Sequence, residues 1–151
     1  MEKINEMKVI LLSKSDNVAL SRVIVASFAS QLDFTISELE EIKVATSEAV
    51  SNSIIHGYEG KTGYIDLNAD LYEDRIEITI KDNGRGIEDI EQARKASFST
   101  NPERMGLGFI FMESFMDSVE IYSEIGQGTT VKLVKRLSIE QAEIREDLNL
   151  N

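Results

Sequence analysis

The sequence predicts an α+β two-layer sandwich in which helices pack on one face of a largely antiparallel mixed sheet. Three observations carry that prediction. Two segments with helical apolar spacing follow a single strand-length run. Ile65, Leu67, Ala69 and Leu71, and then Ile76, Ile78 and Ile80, alternate with polar residues on either side of a Glu73-Asp74 turn. A second strand pair, Val119–Ile121 and Val131–Leu133, is joined across Gly126-Gln127-Gly128.

Taken in order, Met7 to Leu12 (MKVILL) is an apolar run of strand length closed by Ser13-Lys14-Ser15. Val18, Val23, Val25, Ala26, Phe28, Ala29 and Leu32 then lie broadly on one face of a first helix, with Ser15 or Asp16 as its cap. A second helix is expected from about Ser37 to His56. Thr35 or Ser37 caps it, Glu38, Glu40 and Glu41 sit near its positive end, and Gly57 stops it. After the hairpin, a loop-like span runs from Asp82 to Met105 and a third helix from about Leu107 to Met116. One domain is expected over residues 1–137, and the charged stretch 138–151 reads as a solvated helix or tail. There is no internal repeat.

Composition narrows the function. With 16 Lys and Arg against 27 Asp and Glu, the formal charge is −11, so long-range fields repel nucleic acid and anionic lipid and attract basic protein surfaces. The absence of cysteine excludes disulfides, thiolate metal sites and cysteine nucleophiles. No apolar run approaches the ~18 residues of a membrane span, and the start MEKINEMK lacks the apolar core of a signal peptide. A cytoplasmic protein with no direct contact to nucleic acid or membrane is expected.

Three constellations can carry chemistry. From Val44 to Gly57 the one formally charged side chain is Glu48, four residues before Asn52, so the two meet on one helix face beside the small Ala45, Ala49, Ser51 and Ser53. A buried hydrogen-bonded Glu–Asn pair explains this, and so does a general base next to an amide that ligates Mg²⁺. His56 is expected to be neutral, with no catalytic or metal role. The second constellation, 80-IKDNGRGI-87, follows a strand. It can be a plain turn, or Gly84 and Gly86 can let backbone approach a flat ligand whose exocyclic amine Asp82 accepts. In the third, 104-RMGLGF-109, Gly106 and Gly108 open a helix whose N–H groups suit a phosphate chain, with Arg104 as a mobile charge; an ordinary helix start preceded by a solvated arginine fits equally.

E-x-x-x-N on a helix, D-x-G-x-G after a strand, G-x-G opening a later helix and G-x-G-T-T before a last strand form an ordered set. It resembles the ATP-binding fold shared by gyrase B, Hsp90, histidine kinases and MutL. Within it, EIKVATSEAVSNSIIHGYE, DNGRGIEDIEQAR and MGLGFIFMESFMD most resemble the anti-sigma factor serine kinases of Gram-positive bacteria, over roughly Met7 to Leu137.

The resemblance implies ATP and Mg²⁺ as cofactors, with Glu48 as catalytic base and Asn52 as the Mg²⁺ ligand. It implies Asp82 as adenine-amine acceptor, Gly84 and Gly86 beside the base, and Thr130 as a further contact near adenine. Arg104, Gly106 and Gly108 fall in a lid of about residues 95–105 and its hinge. The lid departs from the family pattern in being short between Pro102 and Gly106 and in carrying Met105 where a small hydroxyl residue is expected. Such proteins are homodimers that bind and block a sporulation sigma factor of the sigma F type, and phosphorylate a serine of an anti-anti-sigma factor. Arg22 matches a partner-binding position. A stand-alone ATPase, or a nucleotide-gated binding module of the same fold, is the alternative. The catalytic half of a histidine kinase is disfavoured, because the chain has one histidine and no hairpin to carry it as phosphoacceptor.

Overall fold

The computed structural model describes residues 1–95 and 105–149. The chain runs β1 (Asn5–Leu12), α1 (Asp16–Ala29), α2 (Ile36–Asn52), a π-helical turn (Ser53–Gly57), β2 (Tyr64–Leu71), β3 (Arg75–Asp82), α3 (Ile90–Lys95), α4 (Met105–Phe115), β4 (Ser118–Glu124), β5 (Gly128–Arg136) and α5 (Ile139–Asn149). The five strands form one sheet in the order β1-β2-β3-β5-β4, and every pairing is antiparallel.

Period-two patterning builds the sheet. Ile65, Leu67, Ala69 and Leu71 on β2, Ile76, Ile78 and Ile80 on β3, and Val131 and Leu133 on β5 are buried on one face, where they meet Ile42, Ala45, Ala49 and Val50 of α2 and Phe109 and Met112 of α4. The opposite face carries charge. Glu77 there accepts from Lys132 Nζ at 2.9 Å and Arg75 Nε at 2.7 Å, and the Arg75 guanidinium lies 3.9 Å from the centre of the Tyr72 ring.

Two local devices set the helices. Thr35 and Glu38 form a reciprocal capping box: the Thr35 hydroxyl accepts from the Glu38 N–H at 3.1 Å, and the Glu38 carboxylate accepts from the Thr35 N–H at 2.9 Å. The bond from Glu38 fixes where α2 begins, one residue before Ser37. On α1 the buried residues are Ser21, Val25, Phe28 and Ala29, followed by Leu32. Ser21, Val25, Phe28 and Leu32 follow the i, i+4, i+7, i+11 rhythm of one face. Val23, expected on that face, is 64% exposed, because two residues from Val25 is about 200° around the helix. The expected loop between Asp82 and Met105 contains α3, and α4 begins at Met105 rather than Leu107. The stretch read as a solvated helix or tail holds α5, which is tied back by Gln141 Nε2 donating to Glu38 at 3.2 Å and by Arg145 donating to the Gln31 carbonyl at 3.3 Å.

Burial alone would raise the Glu77 pKa, but the hydrogen bonds from Lys132 and Arg75 outweigh it and hold the carboxyl below its ordinary value. A folded pKa below the unfolded one means a stabilising contribution that is complete above about pH 4.3 and is lost as pH falls through the folded value. Glu77→Gln should therefore flatten that part of the acid limb when urea midpoints are measured from pH 7 to pH 3. A variant limb as steep as the parent's would contradict the linkage.

Candidate functional site

The site is assembled where α2 runs into the end of β3. Beyond Asn52 the helix widens into the π-helical turn, closed by the Tyr58 N–H donating to the Ser53 carbonyl at 2.9 Å. This turn brings Ser53, His56 and Gly57 against Asp82, the last residue of β3. Asp82 is 2% exposed and accepts three hydrogen bonds: from Ser53 Oγ to Oδ2 at 2.7 Å, and to Oδ1 from the Gly84 N–H at 2.9 Å and the Thr129 N–H at 3.3 Å. Among the described residues it has no cationic partner, so these donors alone offset the cost of burying it. A Cβ on Gly57 would stand 3.1 Å from the carboxylate, which therefore packs against a bare α-carbon.

The loop after Asp82 is stitched to the same turn. The Arg85 N–H donates to the Gly57 carbonyl at 3.0 Å, Arg85 Nε donates to the His56 carbonyl at 3.1 Å, and the Gly126 N–H donates to the Arg85 carbonyl at 2.8 Å. The Tyr58 hydroxyl accepts from the Asn83 N–H at 2.8 Å and donates to the Tyr64 carbonyl. Gly84 and Gly86 have a reason the sequence did not reveal. A Cβ on Gly84 would stand 2.3 Å from the Gly57 carbonyl oxygen, and one on Gly86, at φ +80°, would stand 2.3 Å from the Glu124 carbonyl oxygen. Both are glycine because chain packs on chain, and Gly86 in addition lines the cavity.

The cavity beside Asp82 is walled by Ala49, Asn52, Ser53, His56, Gly57, Gly86, Ile87, Phe109, Thr129 and Val131. It is mostly apolar, with Asp82, Asn52, Ser53, His56 and Thr129 as its polar residues, a composition suited to a flat heteroaromatic ring. Thr129, not Thr130, stands in the wall. Val131 and Leu133 face the core, so the two-residue period of β5 puts Thr129 on their side and Thr130 on the other, paired with Lys81 and Tyr122. Counting back from Val131 would have identified Thr129. Ser53 was expected only to leave room; it continues the buried stripe of α2 four residues beyond Ala49, with its N–H donating to the Ala49 carbonyl, and the π-helical turn that follows it is announced by no residue in SIIHG.

Glu48 does not line this cavity. It lies one turn back on α2, facing Gly108 of α4: a Cβ on Gly108 would meet Glu48 Oε2 at 3.0 Å, Asn52 Nδ2 at 3.4 Å and Asn52 Oδ1 at 3.6 Å. Asn52 thus joins the two halves, and its amide nitrogen is buried without a hydrogen-bond partner among the described residues. Amide oxygen and nitrogen exchange by a flip, so this is an unused polar end aimed where a ligand group would satisfy it. Gly106 falls in the first turn of α4, while Arg104 and residues 96–104 of the expected lid lie outside the described residues. Arg22 is half-buried on α1 and takes no part in the cavity. The pKa of Glu40 on α2 is lowered mainly by the Lys43 hydrogen bond, and Arg22 adds a smaller effect in the same direction.

The chain is similar to known proteins along most of its length. The family model described as a histidine kinase-like ATPase domain matches residues 11–135. The chain is 47% identical over 137 residues to an anti-sigma F factor of Clostridium perfringens, covering 89% of this chain and 98% of that one. It is 49% identical over 137 residues to an anti-sigma F factor of a Thermoanaerobacter species, covering 89% and 96%. Among solved structures, the RsbU and RsbW domains of Rv1364c from Mycobacterium tuberculosis superpose with a TM-score of 0.63 at 21% identity, covering 88% of this chain and 32% of that one. The histidine kinase domain of a blue-light activated kinase from Erythrobacter litoralis gives 0.52 at 20% identity, covering 73% and 49%. At these identities the structures establish the fold.

Gly108→Ala separates stability from the site. Alanine is better than glycine inside a helix by about 1 kcal/mol, and the new methyl meets only the movable ends of Glu48 and Asn52. The melting temperature should hold or rise while nucleotide affinity, read by isothermal titration, falls. Unchanged affinity would show that the face of α4 opposite Glu48 does not border the ligand.

Proposed function

Because the chain belongs to the anti-sigma F factor family of histidine kinase-like ATPase domains, we propose that it binds and inhibits a sporulation sigma factor of the sigma F type and acts as an ATP-dependent protein serine kinase on an anti-anti-sigma factor. The observation that carries the kinase reading is the convergence at Gly108 of the Glu48 carboxylate and the Asn52 amide, which also borders the Asp82 cavity and whose nitrogen has no hydrogen-bond partner among the described residues. On this reading adenine enters the cavity with its amino group toward Asp82, and the phosphates extend past Asn52 toward Glu48.

Glu48 then takes the proton of the substrate serine hydroxyl as its oxygen bonds to the γ-phosphorus. The bond from that phosphorus to the β,γ-bridging oxygen breaks and ADP leaves. Proton transfer is favoured by the setting, since no other formally charged side chain lies between Val44 and Gly57 to compete for the hydroxyl or repel the phosphates. Asn52 fits a Mg²⁺ ligand, because a neutral amide oxygen holds a hard cation without adding negative charge beside the phosphates. Among the described residues no group of three His, Cys, Asp or Glu could hold a metal without such help. Mg²⁺, when bound, would neutralise phosphate charge, and most of its coordination would come from phosphate oxygens and water. Gly106 and Gly108, at the start of α4, fit beside the phosphates, with Arg104 as a charge for the terminal one.

The same reading makes the protein a homodimer whose acidic surface, and Arg22 on α1, meet the protein partners. The charge of −11 supports a basic sigma-factor segment as the inhibited partner. No helix among the described residues is long and apolar enough to cross a membrane.

The test is phosphotransfer from labelled ATP to a purified anti-anti-sigma protein. Glu48→Gln keeps size and hydrogen bonding but cannot accept the proton, so transfer should fall about 10²- to 10⁴-fold with ATP affinity close to the parent's. Asn52→Ala should weaken MgATP binding as well as transfer. Asp82→Ala should weaken binding by about 1–3 kcal/mol. ATP hydrolysis without transfer to any protein would point to the stand-alone ATPase, and a folded Glu48→Gln protein working within a few-fold of the parent would remove Glu48 from the chemistry.

A further inference from the structure

Ser53 has no role in the chemistry described so far, yet it is buried, borders the cavity and spends its only proton on Asp82 Oδ2 at 2.7 Å. A serine hydroxyl has one donor and two acceptor lone pairs. With the donor committed, Ser53 can offer the cavity nothing but lone pairs. Asp82 is similarly committed: Oδ1 is taken by the Gly84 and Thr129 N–H groups, and Oδ2, which receives Ser53, keeps room for one more donor.

We propose that Ser53 is a base-selecting residue: Ser53 and Asp82 form an adjacent pair of acceptors that takes an exocyclic amino group and rejects a carbonyl oxygen in the same place. The inference rests on the reading of the cavity as the adenine site, and it names what makes that site choose. An amino group supplies two N–H donors, one for Asp82 Oδ2 and one within reach of the Ser53 lone pairs. A 6-carbonyl purine supplies a third acceptor against two, leaving buried lone pairs opposed and unpaired, which is a strong form of discrimination. Ser53 also fixes the direction of Oδ2, since the carboxylate is held at both oxygens and cannot rotate to compensate.

The experiment titrates the full chain with ATP, inosine triphosphate (carbonyl at C6) and purine riboside triphosphate (hydrogen at C6), for the parent, Ser53→Ala and Ser53→Thr. The parent should prefer ATP to both analogues. Ser53→Ala should narrow the ATP-to-inosine ratio by about 3- to 10-fold, mostly through lost ATP affinity, while purine riboside triphosphate affinity changes little. Ser53→Thr, which keeps the hydroxyl, should restore the ratio, and the ratio is a quantity that a loss of fold alone would not move. Equal loss of all three affinities, or an unchanged ratio in a folded Ser53→Ala protein, would overturn the role of Ser53 and leave the adenine site standing. A parent that binds inosine triphosphate as well as ATP, or binds neither, would overturn the adenine reading and Ser53 with it.

Discussion

The buried carboxylate of Asp82 is the constraint on which the rest of the site depends. An unpartnered anion at 2% exposure would cost several kcal/mol, so the fold has to bring donors to it. They come from three separate places in the chain: the turn after α2, the loop beyond β3, and the first residues of β5. Satisfying one side chain therefore sets the distance between helix layer and sheet at this end of the sandwich. Gly57 has no side chain because the carboxylate occupies that space, and Gly84 has none because the Gly57 carbonyl does. The close packing around Asp82 is a consequence of solvating it with protein.

Around that fixed point the polar groups divide by charge. Of the two carboxylates, Glu48 stands on α2 facing Gly108 and Asp82 at the end of β3, and the neutral Asn52 borders both. A polyanionic ligand entering a protein of charge −11 meets long-range repulsion. Locally it meets apolar walls with amide, hydroxyl and imidazole groups among them. With the negative residues at the two ends, the neutral Asn52 occupies the middle.

Much of this was legible before any coordinates. The hairpin of β2 and β3 was evident because one buried and one wet face force alternation from Ile65 to Ile80, whereas the cap of α2 stayed open between Thr35 and Ser37 until the reciprocal bonds of Thr35 and Glu38 decided it. Glu48, Asn52 and Asp82 stood out as polar residues in apolar or glycine-rich company. Less was legible where the cause is tertiary. Gly84 and Gly86 advertise close approach without saying what approaches. Val23 is apolar but turned outward, and adjacent threonines in β5 differ in facing by one residue of register. Ser53 falls on the regular buried stripe of Ile42, Ala45 and Ala49, but that spacing does not say that a carboxylate meets it or that the helix turns irregular just after it.

That irregularity has a consequence for how such a site can change. A regular helix presents the same stripe along its whole length, but the π-helical turn Ser53–Gly57 inserts one residue and advances the phase of everything after it. Upstream of it α2 addresses α4 through Glu48 and Asn52, and the turn itself meets the end of β3 through Ser53 and Gly57. Removing one residue from the turn would step every residue after the cut by about 100° around the helix axis, whatever the identity of the residue removed. The site is thus encoded partly in a count, and a count changes through deletion or insertion rather than substitution.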